Sequence, residues 1–498
     1  MSSYFLAIDQ GTTSSRAIIY NQKFEKVSVG QKEFPQYFPK PGWVEHSLTE
    51  IWGSVEHSIK SAIKNCSDRK FSKEKIKFIG ITNQRETFSV WDSTKKNQKE
   101  KAIVWQCNRS SDLCEKFKKN TKAKKIAVSS GLLLDPYFSG TKLHWLLNKD
   151  KRFSKNISTK YKFGTIDTYL IWKLTNHKSH FTDTSNASRT LLMNLKTLKW
   201  NKDALSFFKI PQFLLPEIKN SNANFGVTQG LKYLPDGIPI TGVLGDQQAA
   251  LFGQGAFEEG SSKCTFGTGA FLLVNSGSKV QRIKNTLSTV AWTINNKTTY
   301  ANEGSVFIAG AAFQWLRDNL KIIKKSSEIE QLAKKSKCSE GVFFIPAFSG
   351  LGSPYWNSKV NATIGGLTRG SNNSHIAHAS LEGVAHSICD LYGLLTKSFN
   401  KKTAKLFVDG GACLNDYLMS IQSTLLDTQV IRRKDVESTA RGAIYMAAIG
   451  SNYVRDKKKL LKFNPISKRF NPSKKLQENL LSRKNWNWLV KTSSKIYK

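Results

Sequence analysis

Short apolar runs separated by compact polar turns open the chain. Tyr4-Phe5-Leu6-Ala7-Ile8 leads into the polar octet Asp9-Gln10-Gly11-Thr12-Thr13-Ser14-Ser15-Arg16, and Ala17-Ile18-Ile19-Tyr20 leads out of it. Runs of this length bounded by Gly, Asp and Ser read as strand, turn, strand. The pattern predicts strands over residues 4–8, 16–21 and 25–30. The period then changes. Ser47-Leu48-Thr49-Glu50 has the form of a capping box, and Leu48, Ile51, Trp52, Val55, Ile59 and Ile63 follow at helical spacing. Ile76-Lys77-Phe78-Ile79-Gly80-Ile81 predicts a buried strand that ends in Thr82-Asn83-Gln84-Arg85-Glu86-Thr87. Ala102-Ile103-Val104-Trp105 predicts a shorter one, running into Gln106-Cys107-Asn108-Arg109.

The second half echoes the first. Lys263-Cys264-Thr265-Phe266 and Ala270-Phe271-Leu272-Leu273-Val274 flank Gly267-Thr268-Gly269, again strand, turn, strand. A late strand over residues 405–409 enters Gly410-Gly411 and a helix bearing Leu414, Leu418, Ile421 and Leu425. Residues 374–395 carry Ile376, Leu381, Val384, Ile388 and Leu391 at helical spacing and read as scaffold. His375, His378 and His386 on that helix are expected to be surface or internally satisfied histidines, not metal ligands. Strands alternating with helices predict an α/β chain. The Gly-rich stretch Phe252-Gly253-Gln254-Gly255 sets the expected division into residues 1–254 and 255–498.

A length of 498 residues suits two domains with sizeable cores. No apolar stretch approaches a membrane span, and Asp9 breaks the first apolar run, which also lacks a basic lead, so no secretory signal is expected. Seven cysteines are scattered without a Cys-x-x-Cys pair, which points to neither zinc nor a disulfide framework and to a reducing, cytoplasmic setting. The formal net charge of +39 opens the question of a nucleic-acid partner. The lysines are dispersed, however, in short clusters such as Lys118-Lys119, Lys124-Lys125, Lys324-Lys325, Lys334-Lys335, Lys401-Lys402 and Lys457-Lys458-Lys459, without interleaved aromatics. They read as solvated faces, and a basic surface of this kind draws anionic substrates.

The first turn holds the most specific chemistry. Asp9 is suited to holding Mg²⁺ through water, because that ion takes oxygen ligands and keeps part of its hydration shell. Gly11 admits a close approach of backbone to phosphate, and the hydroxyls of Thr12, Thr13 and Ser14 with the Arg16 guanidinium supply donors. The competing reading of this stretch alone is an ordinary polar turn. Neither Gly-x-x-x-x-Gly-Lys-Ser/Thr nor Gly-x-Gly-x-x-Gly after a strand occurs, so a phosphate site here is neither a P-loop nor that of a protein kinase.

Longer markers carry a resemblance. With the octet, Pro39-Lys40-Pro41-Gly42-Trp43-Val44-Glu45-His46, Gly80-Ile81-Thr82-Asn83-Gln84-Arg85-Glu86-Thr87, Asp135-Pro136-Tyr137-Phe138-Ser139-Gly140-Thr141-Lys142, residues 245–254 and Gly365-Gly366-Leu367-Thr368-Arg369-Gly370 stand in order along the chain. The sequence is similar to the FGGY carbohydrate kinases of the actin/hexokinase/Hsp70 superfamily, and most closely to those acting on glycerol. The resemblance implies two ribonuclease-H-like domains facing across a nucleotide and substrate cleft. It implies phosphorylation of glycerol by ATP with Mg²⁺, in a cytoplasmic homo-oligomer (dimer or tetramer), without a specific nucleic-acid partner.

Residue by residue, it gives Asp246 the role of general base and Asp9 that of organising the metal. Thr12, Thr13, Ser14 and Arg16 would contact the phosphates. Arg85, Glu86, Tyr137, Asp246 and Gln247 would bind glycerol between apolar walls formed by Trp105 and Phe271. Thr268, Gly310, Gln314, Gly411 and Asn415 would contact ADP. Each has a plainer alternative: a helix N-cap for Asp246, core packing for Trp105 and Phe271, a tight turn for Gly411. Asn108, Cys264 and the segment 230–237 depart from the family pattern, and the last lacks the Gly-rich, Arg-bearing loop tied to sugar-phosphate inhibition in some members. The other functions to weigh are a sister kinase of a pentulose or other polyol and a non-catalytic basic protein that binds nucleic acid.

Overall fold

A computed structural model of the chain describes residues 3–95, 98–154, 157–357, 359–397, 399 and 405–497. The Lys401-Lys402 cluster lies outside the described residues. The opening pattern folds into an antiparallel meander of β1 (Tyr4–Gln10), β2 (Ser14–Asn21) and β3 (Lys26–Glu33), followed by α1 (Leu48–Lys64). The apolar run after it forms β4 (Ile76–Asn83). Much later in the chain come β5 (Ile240–Gly245) and α2 (Asp246–Gln254). The sheet order is β5-β4-β1-β2-β3, with β4 and β5 parallel to β1. The apolar stripe of α1 covers one face through Leu48, Ile51, Val55 and Ile59.

Two local expectations change here. The capping box does not form: Ser47 makes no side-chain cap bond. Its backbone instead belongs to a short strand, Glu45–Ser47, paired with Lys101–Ile103, and Glu50 accepts a 2.7 Å bond from the Tyr37 hydroxyl. Tertiary partners thus replace the reciprocal local bonds. The strand expected over residues 102–105 spans Lys101–Ile103, so Trp105 sits in the turn beyond it.

The second sheet repeats the plan. It is built from β6 (Ser262–Phe266), β7 (Ala270–Gly277), β8 (Leu287–Ile294) and β9 (Lys297–Val306), followed by α3 (Gly310–Asp318) and α4 (Asn373–Thr396). Then come β10 (Leu406–Asp409), α5 (Asp416–Leu426), β11 (Val430–Arg433), α6 (Ser438–Gly450) and β12 (Ile466–Phe470). The order is β8-β9-β7-β6-β10-β11-β12. β6, β7 and β9 are antiparallel, as β1, β2 and β3 are, and β10 and β11 join in parallel, as β4 and β5 do. Leu414 closes a short 3₁₀ turn, Gly411–Leu414, that follows β10 and is not part of α5. Asn415 caps α5 by accepting from Leu418 N at 2.8 Å, which starts the helix after Leu414 and leaves that side chain 60% exposed in the preceding turn.

The histidines of α4 are internal. His378 lies between Glu382 (2.8 Å) and the Tyr417 hydroxyl (2.9 Å). His386 stacks on Trp486 and meets Arg483 at 2.8 Å. His375 closes the N-terminal capping box of α4 with Asn372. The surface alternative is thereby corrected, since α4 is covered on most of its circumference. The far face of the first sheet is covered by α6, from the end of the chain. Phe5, Ala7, Ile18 and Leu244 share one core with Ala440, Ile444 and Ala447.

Candidate active site

Register explains how distant residues meet. On β4, Thr82 lies opposite both Asp9 of β1 and Leu244 of β5, and Asn83 opposite both Gln10 and Gly245. The three parallel strands therefore release their chains at one level, and the turn after β1, the Gln84-Arg85-Glu86 segment and the start of α2 emerge side by side. Ligands of open α/β sheets bind at such carboxyl ends. In the second sheet, Thr265 of β6 faces Asp409 of β10, which sets the Gly267-Thr268-Gly269 turn beside Gly410-Gly411.

Asp246 is the first residue of α2, and Gly245 holds the cap position. The N-cap alternative for Asp246 therefore falls away. Its Oδ1 accepts from Gln247 N at 2.7 Å and is ion-paired with Arg85 Nε at 3.0 Å, and its side chain remains 32% exposed. Arg85 is buried and bidentate on Glu303, with Nη1 and Nη2 at 2.6 and 2.8 Å. Arg189 Nε donates to Glu86 at 2.6 Å, and Arg189 Nη2 reaches Glu303 at 3.2 Å. Two guanidiniums and two carboxylates thus close a buried, charge-balanced ring. Burial alone would raise the Glu303 carboxyl, but Arg189 and Arg85 override it and pull it down to about 2.

Tyr137 packs edge-on against Trp105 at 5.6 Å and lies under the Arg189 guanidinium at 5.7 Å. Both rings hang on Lys142, whose buried ammonium donates to the carbonyls of Val104, Trp105 and Tyr137 at 3.1–3.3 Å. Burial pulls that lysine down to about 8. Gln247 Oε1 accepts from buried Lys263 Nζ at 2.5 Å. Phe271 is half-buried on β7 opposite Ser305 and, among the described residues, shares no ring contact with Trp105 or Tyr137.

Thr268, Gly310, Gln314, Gly411 and Asn415 all line one cavity of about 510 Å³. Gly310 N and Ala311 N, at the start of α3, donate to the carbonyls of Gly267 (2.9 Å) and Thr268 (3.1 Å), which locks the turn onto the helix. A Cβ on Gly310 would stand 2.7 Å from Gly267 O, so glycine is required there by close approach. In the first turn, Thr12 Oγ1 accepts from the Trp105 indole at 3.0 Å, Ser14 Oγ accepts from Gln31 at 3.1 Å, and Thr13 is exposed. Arg16 lies opposite Asp9 across the hairpin and is ion-paired with Glu437, the residue that precedes α6. Burial pushes the Asp9 carboxyl up to about 6; Arg16 opposes the rise, and Asp246 and Glu437 add to it.

Glu303, Arg189, Lys142 and Lys263 escaped the sequence reading. The available signal was a charge inside an otherwise small or apolar segment, as in Ala301-Asn302-Glu303-Gly304 and Ala187-Ser188-Arg189-Thr190. Such a charge is costly to bury alone, but nothing in one sequence names its partner.

The family model described as "FGGY family of carbohydrate kinases, N-terminal domain" matches residues 4–253, and that of the C-terminal domain matches residues 262–451. The chain is 49% identical over 473 residues to a glycerol kinase of Bdellovibrio bacteriovorus, covering 94% of this chain and 95% of that one. It is 44% identical over 495 residues to a glycerol kinase of Bacillus subtilis, covering 99% of each. Among solved structures, glycerol kinase of Plasmodium falciparum with ADP superposes with a TM-score of 0.90 at 34% identity, covering 99% of this chain and 98% of that one. A gluconate kinase of Lactobacillus acidophilus shares the fold, with a TM-score of 0.89 at 21% identity over 100% of this chain and 99% of that one.

Proposed function

The chain belongs to the FGGY family of carbohydrate kinases, and from that membership we propose that it transfers the γ-phosphoryl group of ATP to a terminal hydroxyl of glycerol, giving sn-glycerol 3-phosphate and ADP in the first step of glycerol catabolism. The observation that supports this reading best is the meeting of Asp246, partly exposed and held by Arg85 at 3.0 Å, with the buried ring around Glu303. A neutral triol needs both donors and acceptors beside an apolar wall, and Arg85, Glu86, Tyr137 and Gln247 with the Trp105 ring supply them. Relatives at 44–49% identity over nearly the whole chain carry that activity in their names.

In the mechanism, Asp246 accepts the proton of the attacking hydroxyl. Arg85 holds the carboxylate in place, and the ring around Glu303 in turn holds Arg85. Because phosphoryl transfer passes through a loose transition state, most of the acceleration comes from positioning and charge neutralisation. Arg16 and the hydroxyls of Thr12, Thr13 and Ser14 serve the phosphates, while Thr268, Gly310, Gln314, Gly411 and Asn415 hold the nucleotide. Phe271 is retained as a second apolar wall. Asp9 would hold Mg²⁺: its carboxyl is crowded by Asp246 and Glu437, and a cation relieves that crowding. When bound, the ion supplies neutralisation of the β- and γ-phosphate oxygens.

The division into residues 1–254 and 255–498, a cytoplasmic location and a homo-oligomeric state complete the proposal. No helix among the described residues is long and apolar enough to cross a membrane. The clustered lysines at 118–119, 124–125, 324–325 and 334–335 are exposed, in keeping with solvated faces and without an assigned nucleic-acid partner. The deciding assay is ADP release with glycerol, xylulose or no acceptor. Turnover is expected with glycerol well above the other two; faster turnover on xylulose would transfer the assignment to a sister kinase.

A further inference from the structure

Away from the cleft, the C-terminal end of α2 opens on a second cavity of about 260 Å³, reached by β10, β11 and β12. Its polar lining includes Arg433, Arg469, Lys405, Lys458, Glu258 and Ser261. Arg433 is only 5% exposed. Its Nε donates to Gln254 O at 2.8 Å and its Nη1 to Asn464 O at 2.6 Å. Nη2 makes no hydrogen bond among the described residues.

The other buried arginines each have a carboxylate: Arg85 has Glu303, Arg189 has Glu86 and Arg441 has Asp435. Arg433 has none among the described residues, and burial pulls its guanidinium below the usual arginine range, with Arg441 and Arg469 acting in the same sense. Lys405, Lys458 and Arg469 are exposed at the rim, without an ion pair among the described residues. Strand pairing fixes the arrangement, because Arg469 of β12 lies opposite Ile431, two residues before Arg433. Four cations therefore face one exposed carboxylate, Glu258.

A buried charge without a counter-charge is strongly unfavourable unless a partner completes it. A guanidinium fork backed by ammonium groups matches the oxygens of a phosphoryl group. We propose that this cavity binds a small phosphate-bearing anion, with Arg433 Nη2 donating to its oxygens and Lys405, Lys458 and Arg469 closing around it. The site lies outside the catalytic cleft and stands independently of the substrate assignment. It touches the same helix, however, since Arg433 holds the last carbonyl of α2 and Asp246 is the first residue of α2.

Residue-resolved acetylation of the full chain, read by mass spectrometry during titration with inorganic pyrophosphate, tests this without interference from anions in the nucleotide cavity. Saturable protection of Lys405 and Lys458 is expected, with the exposed Lys118 and Lys119 unaffected as surface controls. Arg469→Glu, at an exposed position, is expected to move half-protection to at least ~10-fold higher pyrophosphate, the loss of one charge-assisted bond, and Arg469→Lys to restore most of it. Three results would each overturn the proposal: no protection at Lys405 and Lys458, equal protection at Lys118 and Lys119 from screening of the net charge, or an unmoved titration in Arg469→Glu.

Discussion

At the scale of single residues, the proposed base is one carboxylate, Asp246, whose surroundings are themselves charged. Asp246→Asn keeps the volume and a contact for Arg85 but removes the proton acceptor. The variant is expected to fold, to bind ATP and to turn over at least ~100-fold more slowly, the lower end of a general-base contribution. A rate within a few-fold of the parent would remove the base from the mechanism. Arg85→Ala is a less informative probe, because it strands Glu303 in the interior. Glu303 makes a separate prediction. Its folded carboxyl lies near 2, below the unfolded value of about 4.3. The stability it contributes is therefore full above about pH 4.3 and is lost as the pH falls toward 2, by about 3 kcal/mol in all. Urea midpoints followed from about pH 5 to about pH 2.5 are expected to fall less steeply in Glu303→Gln than in the parent; equal slopes would show that the pairing does not drive acid sensitivity.

At the scale of elements, α2 and α6 are pressed together through backbone. A Cβ on Gly442 would stand 1.8 Å from Ala249 O, and one on Gly253 would stand 2.2 Å from Ser438 O. Neither clash can be relieved by a side-chain rotation. Gly442→Ala must separate the helices, and since α2 begins at Asp246, the displacement reaches the carboxylate proposed as the base. The expected cost is about 3 kcal/mol or more, seen as a lowered melting temperature together with reduced kcat. Gly393 of α4 is the control, because a Cβ there meets nothing within 4 Å. Gly393→Ala is expected to stabilise by about 0.5–1 kcal/mol through helix propensity. Comparable melting temperatures for the two variants would contradict the close-packing argument.

At the scale of the whole molecule, the net charge of +39 acts on one substrate and not on the other. Electrostatic steering raises encounter rates for anions and is screened by salt. Raising ionic strength from about 0.05 to about 0.5 M is expected to lower kcat/KM for ATP while leaving KM for neutral glycerol unmoved. Steady-state kinetics at fixed free Mg²⁺ read both constants. A parallel change in the two would assign the effect to stability instead of steering. The two halves of the chain are also stapled together, since Arg85 follows β4 and pairs with Glu303 of β9, and Arg16 of β2 pairs with Glu437.

The strands and the repeated strand-turn-strand plan were legible in the sequence, because they depend on local order: apolar runs of strand length, glycines at turns and polar groups within a few positions of one another. The same local logic misplaced Leu414, since whether a helix begins before or after it depends on which side chain caps it, and it left the α4 histidines open, since one helix does not reveal what packs around it. The ring of Arg85, Glu86, Arg189 and Glu303, the covering of the first sheet by α6 and the carbonyl cradle of Lys142 were decided only by the tertiary structure. Their members come from separate stretches of chain, and they meet because parallel strands in register release their ends at one level. No periodicity along the chain records that meeting: a buried charge announces that it needs a partner, and three-dimensional packing selects which one it finds.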